Sequence, residues 1–279
     1  MFKLLELLLR VLDNMLRDEK PTTGKIERAK FYSGLTWKEH ILPMIKLFRT
    51  GKRNSVISMG TENEKVKPTD TTGFLIFSIP AIMTCPKATA LCLKYCYAKT
   101  ECRYDSIAIN RVSNFLESLK PDFITNCIAY IRNAVYCKNG RVRKEFQRAD
   151  GTIKEIKIRI HESGDFYSAE YFRKWCEIAR AFPDFKFYAY TKSLDFVIEN
   201  KELIPDNFTV RFSIFPDTDR EQIKKCFKHK IPFYAAVKNI RAKTLKLDFI
   251  CDCSVGCGGC ACQCEKKKTF SIITELKKN

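Results

Sequence analysis

The chain of 279 residues is 45% hydrophobic and 29% charged, a balance that excludes intrinsic disorder and supplies enough apolar side chains for a full core. Its formal net charge is +18, and residues 224–279 hold 13 Lys or Arg against four Asp or Glu, half of that excess. A field of this sign draws polyanions, so nucleic acid or a phosphorylated substrate is the expected partner, against the alternative of a Lys-rich surface that only confers solubility.

In residues 1–20, Leu5, Leu8, Leu9, Leu12, Met15 and Leu16 recur at helical spacing and predict an amphipathic helix docked on a partner surface. Lys3, Glu6, Arg10 and Asp13 interrupt the run, which therefore reads as neither a signal peptide nor a membrane span. The expected location is the cytoplasm, where the 14 cysteines stay reduced and open to metal. Residues 21–72 form a weakly patterned lead-in that starts with a break at Pro21 to Gly24.

A (βα) core is predicted over 73–248. Apolar runs rich in aromatic and β-branched residues predict strands at Phe74–Ile79, Ile156–Ile160, Phe185–Tyr190, Phe208–Phe215 and Ile231–Val237. Helical patterns lie between them at Asp105–Leu119, Pro121–Tyr136, Ser168–Ala181, Leu194–Leu203 and Thr218–His229, the last opening on the capping box Thr218-Asp219-Arg220-Glu221. This alternation implies a parallel sheet, and its five or six repeats favour a parallel barrel or partial barrel over a doubly wound sheet. Asn139-Gly140 and Asp150-Gly151 signal tight turns in an insertion at 137–154, a basic β-meander carrying Arg141, Arg143, Lys144 and Arg148. Residues 249–279 are a cysteine-rich metal loop followed by a basic tail with Lys266, Lys267 and Lys268. The insertion and tail are the expected contacts for nucleic acid. The sequence leaves the oligomeric state open.

Cys127, Cys176 and Cys226 fall inside helical patterns and Cys137 beside a turn, where cysteine is ordinarily a small hydrophobe. The other ten form two groups. The first is Cys85, Cys92 and Cys96, with Cys102 beyond; the second is Cys251, Cys253, Cys257, Cys260, Cys262 and Cys264, with Gly256, Gly258 and Gly259 permitting sharp folding. Metal binding is the expectation. Structural zinc prefers pairs spaced by two to four residues, whereas the six-residue gap and the overlapping short gaps here suit an iron-sulfur cluster better.

Reactive groups of parallel barrels sit in the loops after the strands. The first cysteine group follows the strand at 74–79. His161, Glu162, Ser163, Gly164 and Asp165 follow that at 156–160, Lys192 follows that at 185–190, and Ser213 stands near the exit of that at 208–215. Each has a plainer reading: Asp165 as a helix cap, His161 as a satisfied structural histidine, Lys192 as a surface lysine. Their joint placement predicts a site, with His161, Glu162, Asp165 and Lys192 as its catalytic candidates and Glu162, Ser163, Gly164, Asp165, Lys192 and Ser213 as its cofactor-binding candidates.

Phe77-Ser78-Ile79-Pro80-Ala81, Thr84-Cys85-Pro86, Cys96-Tyr97-Ala98, Arg159-Ile160-His161-Glu162-Ser163-Gly164-Asp165-Phe166-Tyr167-Ser168 and Tyr188-Ala189-Tyr190-Thr191-Lys192-Ser193 resemble the gene product 88 family of bacteriophages and mobile elements over about residues 73–265. The resemblance implies a cysteine-bound cluster and a mobile-element origin. More distantly, a cysteine loop after the first strand is similar to radical S-adenosylmethionine enzymes, in which three thiolates of a 4Fe-4S cluster leave one iron open for the cofactor. Tyr95 and Tyr97 flank Cys96 as an aromatic does there, and His161-Glu162-Ser163-Gly164 stands where the cofactor's amino group is bound. The spacing departs from that family, with six then three intervening residues in place of three then two; Cys253, Cys257 and Cys260 do give three then two, but after the last strand. Two expectations follow: a radical S-adenosylmethionine-like enzyme acting on a nucleic acid or nucleotide, its C-terminal cysteines holding an auxiliary cluster, or a non-enzymatic nucleic-acid-binding protein whose metal folds the cysteine loops.

Overall fold

The strands of the core alternate in character along their length, and that alternation decides which face of the sheet meets the helices. In the computed structural model, residues 57–63, 66–94, 96, 98, 105–215, 217–237, 249–250 and 271–275 are described. The elements in chain order are β1 (Met59–Gly60), β2 (Thr72–Phe77), α1 (Ala90–Lys94), α2 (Asp105–Ser118), α3 (Phe123–Val135), a 3-10 turn at Lys144–Phe146, β3 (Glu155–Ile160), α4 (Ala169–Arg180), β4 (Lys186–Thr191), α5 (Leu194–Glu199), a 3-10 turn at Lys201–Leu203, β5 (Phe208–Ile214), α6 (Arg220–Lys228), β6 (Phe233–Val237), β7 (Phe249–Ile250) and β8 (Ser271–Glu275).

One sheet takes the strands in the order β1-β2-β3-β4-β5-β6-β8-β7, antiparallel at β1 and parallel elsewhere. Right-handed crossovers in a sequential strand order put the connecting helices on one face. Ile156, Ile158 and Ile160 of β3, Phe187 and Ala189 of β4, and Phe208, Val210 and Phe212 of β5 accordingly share one apolar cluster with Phe123, Cys127 and Ile131 of α3 and Phe172, Trp175 and Ile178 of α4. Trp175 lies edge-on to both Phe77 and Phe123, at 4.9 and 5.8 Å between ring centres, and locks α4 against β2 and α3. Cys127, Cys176 and Cys226 are buried free thiols, in keeping with a packing role.

The fold is thus a mixed α/β sheet, mostly parallel. Barrel closure is not seen: among the described residues β1 and β7 are its two edges and do not pair with each other. Several expected bounds also shift. β2 ends at Phe77 because the chain then turns into the neighbouring loop, where the Ile79 amide donates to the Ser163 carbonyl at 3.0 Å. The helix expected over 194–203 stops at Glu199, since the Asn200 side chain takes the Phe196 carbonyl at 2.8 Å and the chain continues as a 3-10 turn. Asp219, not Thr218, caps α6 by accepting from the Glu221 amide at 2.9 Å, while Thr218 Oγ1 accepts from the Phe215 amide instead.

The insertion is two bridged turns, Tyr136 with Val142 and Gln147 with Ile153, joined by the 3-10 turn, in place of a full meander. It is pinned by Phe146, 3% exposed, which lies over Gly73 so closely that a Cβ there would stand 2.5 Å from the ring. The N-terminal helix expected in 1–20, most of the lead-in, Cys102, the second cysteine group and the basic tail lie outside the described residues. Among the described residues no helix is long and apolar enough to cross a membrane.

Candidate functional site at the strand ends

The chain leaving β2 makes the wall on which the site is built. Ile82 takes φ 68°, a left-handed conformation that costs a β-branched residue free energy, and it is held there by burial with Ala81, Leu93 and Ala98. Thr84 Oγ1 donates to the Pro80 carbonyl at 2.7 Å and the Cys85 amide to the Ile82 carbonyl at 3.2 Å, so the turn that presents Cys85 is bonded on both sides. Cys92 rides on the short helix α1, tied to the segment after β5 by the Leu91 amide donating to Asp217 Oδ2 at 2.7 Å.

Cys85, Cys92 and Cys96 are thiols of intermediate exposure and form no disulfide. Burial pushes the Cys85 thiol well above its ordinary value, and the nearby Asp165, Cys92 and Cys96 push it further. Burial also raises Cys92, to about 11, against the pull of the Lys192 ammonium. The three thiols, Asp165 and Lys192 therefore share one electrostatic neighbourhood. Among the described residues, no three His, Cys, Asp or Glu side chains converge as a preformed metal cage.

The second wall is the turn after β3. His161 and Gly164 both take left-handed backbone, at φ 65° and 89°. The His161 turn sends its ring into the core beside Phe166 and Tyr171, at 4.6 and 5.6 Å between centres, with Nε2 at 2.9 Å from the Tyr171 hydroxyl. Gly164 brings the turn directly onto Ile79 and Thr84 of the cysteine loop. Glu162 Oε1 accepts from the Asn63 side chain, and Ser163, 2% exposed, has a buried hydroxyl that meets no hydrogen-bond partner.

Asp165 joins the second wall to the third. Its Oδ1 accepts from Thr191 Oγ1 at 2.5 Å and the Phe166 amide at 2.7 Å, and its Oδ2 accepts from the Lys192 amide at 2.8 Å. Burial still lifts it to about 6 despite those three donors. It is not the cap of α4; Ser168 is, accepting from the Tyr171 amide at 3.1 Å. Lys192 is 8% exposed and so no surface lysine: Nζ donates to the Ser213 carbonyl at 2.9 Å and stands 4.2 Å from the centre of the Phe215 ring. Burial lowers its affinity for the proton, against the attraction of Cys92, Asp165 and Asp217. Ser213 meets the site through its carbonyl.

His161 has a sharper consequence. Burial depresses it to about 3, and its Nδ1 lacks a hydrogen-bond partner. The folded-state value lies below the ordinary 6.5, so its contribution to stability is full above that pH and is lost as pH falls toward 3. Asp165, raised from 3.8 to about 6, has the opposite sign, its contribution being lost as pH rises through that window. His161→Asn, a residue that tolerates the left-handed turn, removes the first effect and leaves the second. Between about pH 7 and about pH 4 the variant's stability relative to the parent should rise by about 3 kcal/mol. Urea unfolding at several pH values checks this; parallel curves for the two proteins would contradict it.

The structure brings Cys85, Cys92, Cys96, Asp165, Lys192 and Ser213 to one place, bonds Glu162 to Asn63, buries Ser163 in the turn between, and turns His161 away into the core. Sequence reasoning missed Thr191, Asn63 and Asp217. Asp217 follows β5 closely enough that the strand-end rule could have flagged it; Asn63 carries no local signal.

The comparisons with known proteins bear on this arrangement. A family model described as "Gene product 88" matches residues 46–255. The Gene 88 protein of Mycobacterium phage L5 is 32% identical over 136 residues, and that of Mycobacterium phage D29 is 29% identical over 136 residues. Each match covers 48% of this chain and 53% of the relative, so the chain spans about half the length of the curated relatives it matches. No solved structure matches the chain.

Proposed function

The chain belongs to the Gene product 88 family, and from that premise we propose that it is a phage or mobile-element protein that binds a 4Fe-4S cluster through Cys85, Cys92 and Cys96 and acts, like a radical S-adenosylmethionine enzyme, on a nucleotide or nucleic acid. The observation that carries the reading is the position of the cysteine loop: it follows the first strand of a sequentially ordered parallel run and faces Asp165 and Lys192. In this reading the sheet is a partial barrel, and the cysteines at 251–264 hold an auxiliary cluster.

The donor set fits such a cluster in its chemistry. Three thiols on the segment between β2 and α2 influence one another electrostatically, and enclosed thiolates need a cation to offset their desolvation. The loop has to draw its three sulfurs inward to close on metal. A cluster held by three thiolates supplies an open iron and a one-electron donor. The chain's own part is binding and orientation: Lys192 holds an anionic group, Glu162 and Ser163 take amino and hydroxyl groups, and Asp165 positions Lys192 through its amide. Protein purified without oxygen should be brown and carry iron and sulfide in stoichiometric amounts; zinc without sulfide would overturn the proposal.

A second reading, a metal-stabilised nucleic-acid-binding protein, is favoured by the insertion, where Arg141, Arg143, Lys144 and Arg148 are all exposed. If these residues neutralise phosphates, replacing all four by Gln should flatten the dependence of log affinity for duplex DNA on log salt by about 3 to 4 units. An unchanged slope in a gel-shift salt series counts against that contact.

A further inference from the structure

The helix that carries Cys92 is too short to stand alone. The first turn of a helix fixes more dihedral angles than its hydrogen bonds offset, so α1, with five residues, folds only where its surroundings complete it. Leu93, 5% exposed, anchors it by packing with Ala81, Ile82 and Ala98. The amides at its start still need acceptors. Thr89 serves two of them, its carbonyl accepting from the Leu93 amide at 3.0 Å and its Oγ1 from the Cys92 amide at 3.3 Å. The Leu91 amide goes elsewhere, to Asp217 Oδ2 at 2.7 Å, across 126 residues of chain.

Asp217 stands on a turn that is itself closed. The Phe215 amide donates to Thr218 Oγ1 at 2.7 Å, and the Thr218 amide donates to the Phe215 carbonyl at 2.9 Å. The same stretch holds Lys192, whose Nζ donates to the Ser213 carbonyl and lies 4.2 Å from the centre of the Phe215 ring. The segment after β5 therefore grips the ammonium with one part and the helix of Cys92 with another. Asp217 is exposed, and neither it nor Leu91 belongs to the main apolar cluster, so the bond can open without disturbing the packing of the sheet.

We infer that Asp217 is a positioning residue of this site: by accepting from the Leu91 amide it completes α1 and keeps the Cys92 thiol turned in toward Lys192. A carboxylate is a strong acceptor for a backbone amide, and here it joins two loops that share no other element. With the latch closed Cys92 stays half-buried; with it open α1 unwinds ahead of Leu93 and the thiol reaches solvent. The inference deepens the proposed function and rests on it for the role of Cys92 as a cluster ligand, but the latch itself needs no metal.

Two measurements on the full chain test it: amide hydrogen exchange over α1 and α6, and alkylation of Cys92 by iodoacetamide in protein stripped of metal with a chelator. Both proceed through local opening. Asp217→Ala should speed exchange of the Leu91 and Cys92 amides and alkylation of Cys92 roughly 10-fold, the loss of one hydrogen bond to a charged group at an exposed position. α6, and Cys137 outside the site, should keep the rates of the parent. Asp217→Asn retains an acceptor oxygen and should stay within roughly 3-fold of the parent. Asp195→Ala, which removes another carboxylate from the neighbouring surface, should change neither reading. In protein loaded with iron and sulfide, Asp217→Ala should surrender iron to a chelator faster by a similar factor. The inference is overturned if Asp217→Ala leaves α1 and Cys92 at parent rates, if Asp217→Asn is as fast as Asp217→Ala, or if α6 and Cys137 accelerate equally. Protein that takes up no iron but shows the expected exchange pattern sinks the cluster reading alone, whereas iron uptake with unchanged rates in Asp217→Ala sinks this one alone.

Discussion

Replacing Cys92 by Ala should abolish the response of the reduced cluster's electron paramagnetic resonance spectrum to S-adenosylmethionine, while any signal from the C-terminal cysteines persists. In the proposed cluster Cys85, Cys92 and Cys96 supply three thiolates, so removing one breaks the arrangement that would leave an iron open to an outside ligand. Lys192 stands close enough to pull on the Cys92 thiol, so the same change removes the largest of the attractions that Cys92, Asp165 and Asp217 exert on the ammonium. Asp165→Asn is the informative companion. It keeps the size of the side chain but presents an NH2 where Asp165 now accepts from Thr191 or from the Lys192 amide. The cofactor response should then weaken with iron and sulfide content unchanged, because the lysine is displaced and the thiols are not. If the parent protein, fully reconstituted, shows no spectral change with S-adenosylmethionine, the radical assignment fails and only metal binding is left.

What the sequence made legible depends on the range of the interaction. Strands β2 to β6 and helices α2 to α6 were readable because each is specified within its own length, by apolar alternation or by a helical stripe such as Phe172, Trp175 and Ile178 facing the core, whereas α1, five residues long, is too short to show such a stripe and was missed. The gathering of Cys85, Asp165 and Lys192 was readable because a parallel sheet puts all loops after strands at one end. The direction of individual side chains was not. His161 belongs to the same turn as Asp165, but a left-handed backbone carries it to the opposite side. Asp165 reads locally as a cap for α4, and its actual partners, Thr191 and Lys192, are more than twenty residues away. The charged face of the sheet was visible in the text of Glu155-Ile156-Lys157-Ile158-Arg159-Ile160, where basic residues alternate through a strand that should be apolar on both sides, yet a strand in isolation gives no sign of what its second face meets.

Gly164→Ala should be among the most damaging single substitutions in the chain, for two separable reasons. The first is conformational: Gly164 holds φ 89°, where an alanine costs about 1 to 2 kcal/mol. The second is packing: a Cβ there would overlap Ile79 Cγ1 and stand 2.7 Å from Thr84 Oγ1 and 3.0 Å from the Ile79 carbonyl oxygen, so the turn must move off the cysteine loop, an overpacking worth about 1 to 3 kcal/mol. Gly140→Ala is the internal control. Gly140 has φ 79° but nothing within 4 Å of its added Cβ, so it carries the conformational cost without the packing cost. Urea midpoints should therefore show Gly140→Ala destabilised by about 1 to 2 kcal/mol and Gly164→Ala by about 2 to 5 kcal/mol. The Ile79 amide bond to Ser163 and the Asp165 contacts lie within two residues of the displaced glycine or bind across it, so metal content should fall in Gly164→Ala protein that is still folded, and not in Gly140→Ala protein. Equal destabilisation of the two variants would show that the turn after β3 does not bear on the cysteine loop, and the site would then lose the contact that holds its two walls together.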